Sequence, residues 1–256
     1  MSSLLEHLAA RFRNPDSGFL LGLGAATATL AAMTAYFSFG DGGSWSGFPL
    51  DDAWIHRVYA RSFAFGHGFQ YNVGADEAGA TSPLWVIVTA PAEWLSVLSF
   101  EAVVIAVKVL GALCAAAFVA GVFAVSRDLL PERREIAALP AILVAADPRL
   151  AFSLLSGMES ALVAALWIWA VRFAQTRRWT LFAASAALLP TARPEAALFL
   201  PVAWALLLFA KDLRPKRKAI LLAITALPSA FWIAFCLHAT GRPLPTTFYV
   251  KAAATS

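Results

Sequence analysis

The stretch WVIVTAPAEWLSVLS, residues 85–99, decides how this chain is threaded. It is apolar, but shorter than the roughly 20 residues a helix needs to cross a bilayer, and it carries Pro91 and Glu93. It reads as an interfacial or re-entrant helix that does not span. The choice matters because one span more or fewer here inverts every later segment. The basic residues arbitrate, since Lys and Arg favour the cytoplasmic side. With 85–99 left out and the first span running outward, the inside segments hold most of the 20 basic residues: Arg11 and Arg13; Arg127, Arg133 and Arg134; Arg172, Arg177 and Arg178; and the KDLRPKRK run from Lys211 to Lys218. Arg57, Arg61, Arg149, Arg193, Arg242 and Lys251 fall outside, and Lys108 falls within a span near its outer end, where it can snorkel. Counting 85–99 as a span would put RDLLPERRE and KDLRPKRKA outside, against that rule.

Composition agrees with a membrane chain. Sixty per cent of the 256 residues are hydrophobic and 14% are charged, against about 45–50% and about 25% in soluble domains. The net charge of +4 arises at the ends of apolar runs, so it is an orientation signal and not a nucleic-acid footprint. Cys114 and Cys236 lie inside apolar runs and read as packing residues, not as a disulfide or metal site.

Clear span candidates are 18–38, 102–125, 158–174 and 219–237. Shorter ones, 136–151, 179–191 and 195–210, are broken or bounded by proline and belong inside a bundle, where freed backbone groups find partners. The expected fold is an all-α polytopic transmembrane bundle of about seven spans, residues 1–256, with a first extracytoplasmic loop over 39–101 carrying juxtamembrane helices. The N-terminal run lacks a convincing cleavage site and reads as a retained anchor.

In this threading the polar clusters not explained by cytoplasmic charge share the outer side: DDAWIHRVYAR (51–61), GATSPLW (79–85), LSGMESAL (155–162), TARPEAAL (191–198) and GRPLPTTFYVK (241–251). Ionisable groups at the edge of a bundle are costly unless they pair or serve a site. Their convergence predicts a cavity on that face. Each also has a plainer reading. Asp51 and Asp52 suit the start of a helix through WIHRVYARSFAF, and adjacent carboxylates shift each other's proton affinity. Glu159 and Glu195 suit first helical turns, Arg193 can pair with Glu195, and Lys251 can anchor at the interface. His56 and His67 are too isolated for a metal cluster. Trp45, Trp54 and Trp85 suit a headgroup belt.

The segment DDAWIHRVYARSFAFGHGFQYNVGADEAGATSPLW resembles the first extracytoplasmic loop of bacterial GT-C membrane glycosyltransferases, most closely the terminal arabinofuranosyltransferases of cell-wall arabinan. The shared elements are Asp51-Asp52, the Gly66-His67-Gly68 turn with Asn72, and Thr81-Ser82-Pro83-Leu84-Trp85. Gly157-Met158-Glu159, Arg193-Pro194-Glu195 and Pro245-Thr246-Thr247-Phe248-Tyr249-Val250-Lys251 are similar to later family motifs. The chain departs at Asp76-Glu77-Ala78-Gly79-Ala80, where the family usually reads Glu-x-x-x-Gly-Tyr. Family members also carry more spans and often a C-terminal soluble domain, so the chain reads as a fragment or shortened relative.

The resemblance implies transfer of a sugar from a polyprenyl-phosphate donor to a glycan acceptor at the outer face of a bacterial inner membrane. Asp51 would be the catalytic carboxylate, with Asp52 positioning the acceptor or the loop. Arg193 and Lys251 would meet the lipid phosphate, and Glu159 and Glu195 the sugar hydroxyls. Thr81, Ser82, Trp85 and Tyr249 would complete the substrate contacts. No cofactor is required; the aspartate pair would also suit a divalent metal, which a monophosphate donor does not need. The alternative is a transporter or lipid-linked-sugar flippase, which would place ionisable groups at mid-membrane depth and repeat its fold internally.

Overall fold

The structure, a computed structural model, describes residues 47–75, 77–132, 136–148, 152–153 and 156–254. The expected first span 18–38, Trp45 and the start of the 39–101 loop lie outside these residues, as do Arg11, Arg13, Asp76, Arg133, Arg134 and Arg149. Among the described residues every regular element is helical.

Helix α1 (Asp51–Ala64) opens on the two aspartates, whose charges favour a helix N-terminus. After a glycine-rich loop, α2 (Pro83–Thr89) starts with proline at its first position, where the missing N–H costs nothing. It tightens into the 3-10 segment Ala90–Val97, so 85–99 is not one continuous helix. Ser99 then caps α3 (Phe100–Leu129) by accepting from the Ala102 N–H at 3.0 Å. Short α4 (Leu139–Ala145), α5 (Ser160–Gln175), α6 (Trp179–Ala192), the 3-10 segment Pro194–Leu198, α7 (Phe199–Phe209), α8 (Pro215–Thr240) and α9 (Thr246–Ala254) follow.

Two helices, α3 and α8, are long and apolar enough to cross a membrane. They cover the expected spans 102–125 and 219–237. Only 17% of the apolar window of α8 is buried by the rest of the protein, so α8 is not the enclosed core helix of a soluble fold. Leu227 and Phe231 on α8 and Phe209 on α7 stand largely exposed. The expected spans 158–174, 179–191 and 195–210 correspond to shorter apolar helices, the last interrupted where the 3-10 segment meets α7. The expected span 136–151 is a seven-residue helix over its described part.

Helix pairs close on small side chains, as packing without a large hydrophobic driving force requires. Ala115 of α3 meets Ala161 of α5, and Ala170, Ala183 and Ala186 share a cluster with Phe182, Leu189 and Phe199. Pro228 lies inside α8, and a nearby polar clasp joins it to α7: Trp204 Nε1 donates to Thr225 Oγ1 at 2.8 Å. Lys108 does not snorkel. Its side chain is covered by the protein, with 3% exposed. Cys114 and Cys236 are free thiols, and Cys114 packs against the helix clusters.

The helix ends sort by chemistry. Leu129, Gln175, Trp179, Phe209 and Pro215 belong to one end, tied by Arg172 to Asp128 (3.2 Å) and Trp179 to Asp212 (2.7 Å). The starts of α1, α3 and α5, and the end of α6, gather at the other.

Candidate functional site

Four chain segments meet at that second end. On α1, His56 is buried and brings Nε2 to 3.1 Å from Glu159 Oε2, just ahead of α5. The approach has an ion pair's distance, and among the described residues His56 Nδ1 has no hydrogen-bond partner. Arg193, at the end of α6, brings Nη1 to 3.8 Å from the other Glu159 oxygen and donates from Nε to Glu195 at 3.2 Å. A chain of charge thus runs from the buried His56 to the exposed Glu195. Burial alone would raise the Glu159 carboxyl; the proximity and charge of His56, with Arg193 beyond, outweigh it and hold the group below its ordinary value.

The next residue of α1 makes a second tie. Arg57 Nε donates to Glu93 Oε1 at 3.0 Å, and its guanidinium lies 4.1 Å from the Phe100 ring centroid. Glu93 is fully enclosed, and burial pushes its carboxyl above the ordinary range despite Arg57. His56, Arg57, Thr89 and Glu93 border a cavity of about 10 Å³, the lower limit for one water molecule. Among the described residues, His56 Nδ1 and Glu93 Oε2 have no hydrogen-bond partner.

The loops that carry these groups are fixed by close backbone approaches. Trp85 is wholly buried, and its indole N–H donates to the Gly157 carbonyl at 2.9 Å. Gly157 has φ +85°, and a Cβ there would meet Phe48 at 2.4 Å, so glycine is required for two reasons. Gly79 has a different reason: a Cβ would collide with the Tyr59 hydroxyl. Tyr59 is buried, which raises its phenol strongly, with Glu77 and Tyr71 adding to the effect. Across the same loop, the start of α9 docks by Thr246 N to Ala78 O and Thr247 Oγ1 to Gly79 O, both 3.1 Å.

The expected residues therefore divide. Glu159, Arg193 and Glu195 come together in one cluster. Asp51 and Asp52 are exposed at the start of α1, and helical periodicity separates them: Asp52 shares a stripe with His56 and Tyr59, Asp51 with Ile55, Val58 and Ser62. Ser82 is buried and Thr81 half-buried, beside the Trp85 that supports the Glu159 loop. Tyr249 is half-buried on α9, under the Arg242 guanidinium at 4.9 Å. Lys251 belongs to α9, with its side chain outside the described residues. Three organising residues were not among the expected site residues: His56, Arg57 and Glu93. The available signal was a carboxylate within an apolar run, Glu93, which calls for a cationic partner. Among the described residues, no three His, Cys, Asp or Glu side chains are grouped to hold a metal ion.

No family model, curated protein or solved structure matches this chain.

Proposed function

We propose that the protein is an integral membrane glycosyltransferase of GT-C type. It takes a sugar from a polyprenyl-phosphate donor and passes it to a glycan acceptor on the extracytoplasmic face of a bacterial inner membrane. The observation that carries the reading is the cluster His56–Glu159–Arg193–Glu195 beneath an exposed aspartate pair, at the bundle end opposite the Asp128–Arg172 and Trp179–Asp212 contacts. Acidic and cationic groups side by side at a membrane edge suit a reaction that takes up a proton and releases a phosphate. The two long apolar helices support a membrane setting, and the exposed Trp94, Val97 and Leu98 suit a segment lying at the headgroup layer.

In this reading the acceptor hydroxyl attacks the anomeric carbon of the donor sugar. The new bond forms from the acceptor oxygen to that carbon, and the bond from carbon to phosphate oxygen breaks. The acceptor proton goes to a carboxylate, and the electron pair leaves with the lipid phosphate. Asp52 is the better candidate for the base, because it stands one helical turn ahead of His56 on the stripe that leads to Glu159. Asp51, turned away along the other stripe, is the acceptor-positioning residue. Arg193 is half-exposed and already poised between two carboxylates, so a departing phosphate would draw it from Glu195.

The test is transfer from a synthetic polyprenyl-phosphate sugar by protein reconstituted in vesicles. Asp52→Asn is expected to lose at least about 10²-fold in rate, the usual worth of a general base, while still inserting. Asp51→Asn is expected to lose less. Wild-type transfer by both variants would remove the catalytic reading of this pair.

A further inference from the structure

The outer face of α1 carries a second cleft that the chemistry above does not use. Val58, Arg61, Ser62 and Phe65 recur at helical spacing along one wall, and His67 and Tyr71 stand on the opposite wall, which enters through the Gly66–Gly68 turn. The space between is about 610 Å³, within the range of small-ligand sites. Its far wall is held in place. The backbone N–H groups of Tyr71 and Asn72 both donate to Glu77 Oε1, and the Tyr71 ring packs edge-on against Tyr59 at 5.7 Å.

Two features point to a ligand. Ser62 Oγ is buried without a hydrogen-bond partner among the described residues, although a helical serine can bond the carbonyl four residues back. Such a hydroxyl at the wall of a cleft is a polar group waiting for one. Among the described residues the lining also contains Arg61 and His67 and no carboxylate. Arg61 is felt electrostatically by Glu93, yet Glu93 is enclosed behind α1 and does not reach the cleft. The remaining surface is aromatic and aliphatic, with Phe65 and Tyr71 about half exposed. Ring faces, hydroxyls and an exposed guanidinium together match a sugar ring bearing a carboxylate.

We propose that this cleft binds an acidic saccharide residue. Arg61 grips its carboxylate, Ser62 and Tyr71 meet its hydroxyls, and the Phe65–Tyr71 edge covers its ring. As the resting place of an acceptor's neighbouring residue the cleft rests on the transferase reading; as a binding site it does not.

The experiment measures binding of cellobiouronic acid and of cellobiose, which differ in that carboxylate, to the full chain in neutral-lipid nanodiscs by calorimetry. The acid is expected to bind at least about tenfold more tightly, the worth of one charge-assisted contact. Arg61→Gln should abolish the preference, Arg61→Lys should keep part of it, and Ser62→Ala should weaken both sugars. Asp52→Asn should leave binding intact, so loss of transfer and loss of this site are read separately. Equal affinity for the two sugars, or a preference that survives Arg61→Gln, would overturn the proposal. So would anionic lipid in the nanodisc abolishing saccharide binding through Arg61, because the cleft would then belong to a lipid headgroup.

Discussion

Arg57 and Glu93 form a largely buried ion pair, Nε to Oε1 at 3.0 Å, with side-chain exposures of 12% and 1%. The pair ties α1 to the 3-10 segment that follows α2, and it sits one residue along from the His56 that faces Glu159. Adjacent residues of one helix thus hold two different elements. The orientation of the exposed aspartates follows from that double tie.

Breaking the pair from one side leaves a charge in the protein interior. Arg57→Met is expected to lower stability in detergent by about 3 kcal/mol or more, the range for removing one partner of a buried pair. Replacing both partners, Arg57→Met with Glu93→Leu, should recover most of that loss. A single variant as stable as wild type in chemical unfolding would mean that the pair does not hold α1.

The two buried glutamates should give opposite pH dependence. Glu159 is held below its ordinary value of 4.5, so its contribution is present above that pH and is lost as pH falls through the lowered value. Glu93 is raised above 4.5, so its contribution is full below that pH and is lost as pH rises through the raised value. Thermal unfolding across pH should therefore find that Glu93→Gln flattens the loss on the neutral side and Glu159→Gln the loss on the acid side. Superimposable curves for wild type and Glu93→Gln would contradict this assignment.

The Gly157 turn should tolerate almost nothing. Gly157→Ala places a side chain at φ +85° and against Phe48, and is expected to cost more than about 1 kcal/mol. Trp85→Phe keeps the ring but leaves the buried Gly157 carbonyl without its donor, at a cost of about 1–3 kcal/mol. Both should also impair transfer, because they release the Glu159 loop. Full transfer activity in a destabilised Trp85→Phe would separate the loop from the site.

Orientation is checked by labelling. In a background lacking Cys114 and Cys236, cysteines at the exposed Glu195 and Pro243 are expected to react with an impermeant maleimide added outside intact cells. Cysteines at Lys211 and Pro215 should react only after permeabilisation. The reverse pattern would invert the proposed membrane orientation.

Much of the architecture follows from local properties that a linear chain displays directly. Apolar length marks α3 and α8, the two helices long and apolar enough to cross a membrane. Proline and glycine mark breaks, because they remove a donor or permit a left-handed turn wherever they occur. The stretch 85–99 reads in the sequence as one short, non-spanning helix; in the structure α2 gives way to a 3-10 segment there, at Pro91. The grouping of Glu159, Arg193 and Glu195 was also legible, since alternating helices return their ends to common sides. Pairing was not. Which cation meets Glu93, which face of α1 turns inward, and why Trp85 is buried depend on contacts between residues far apart in the chain. His56 looked like an isolated histidine because its neighbour Glu159 belongs to another helix start. Asp51 and Asp52 are equivalent in the sequence; they become different only when packing against Glu93 and Glu159 fixes the rotation of α1 and directs one stripe inward and the other toward the open cleft.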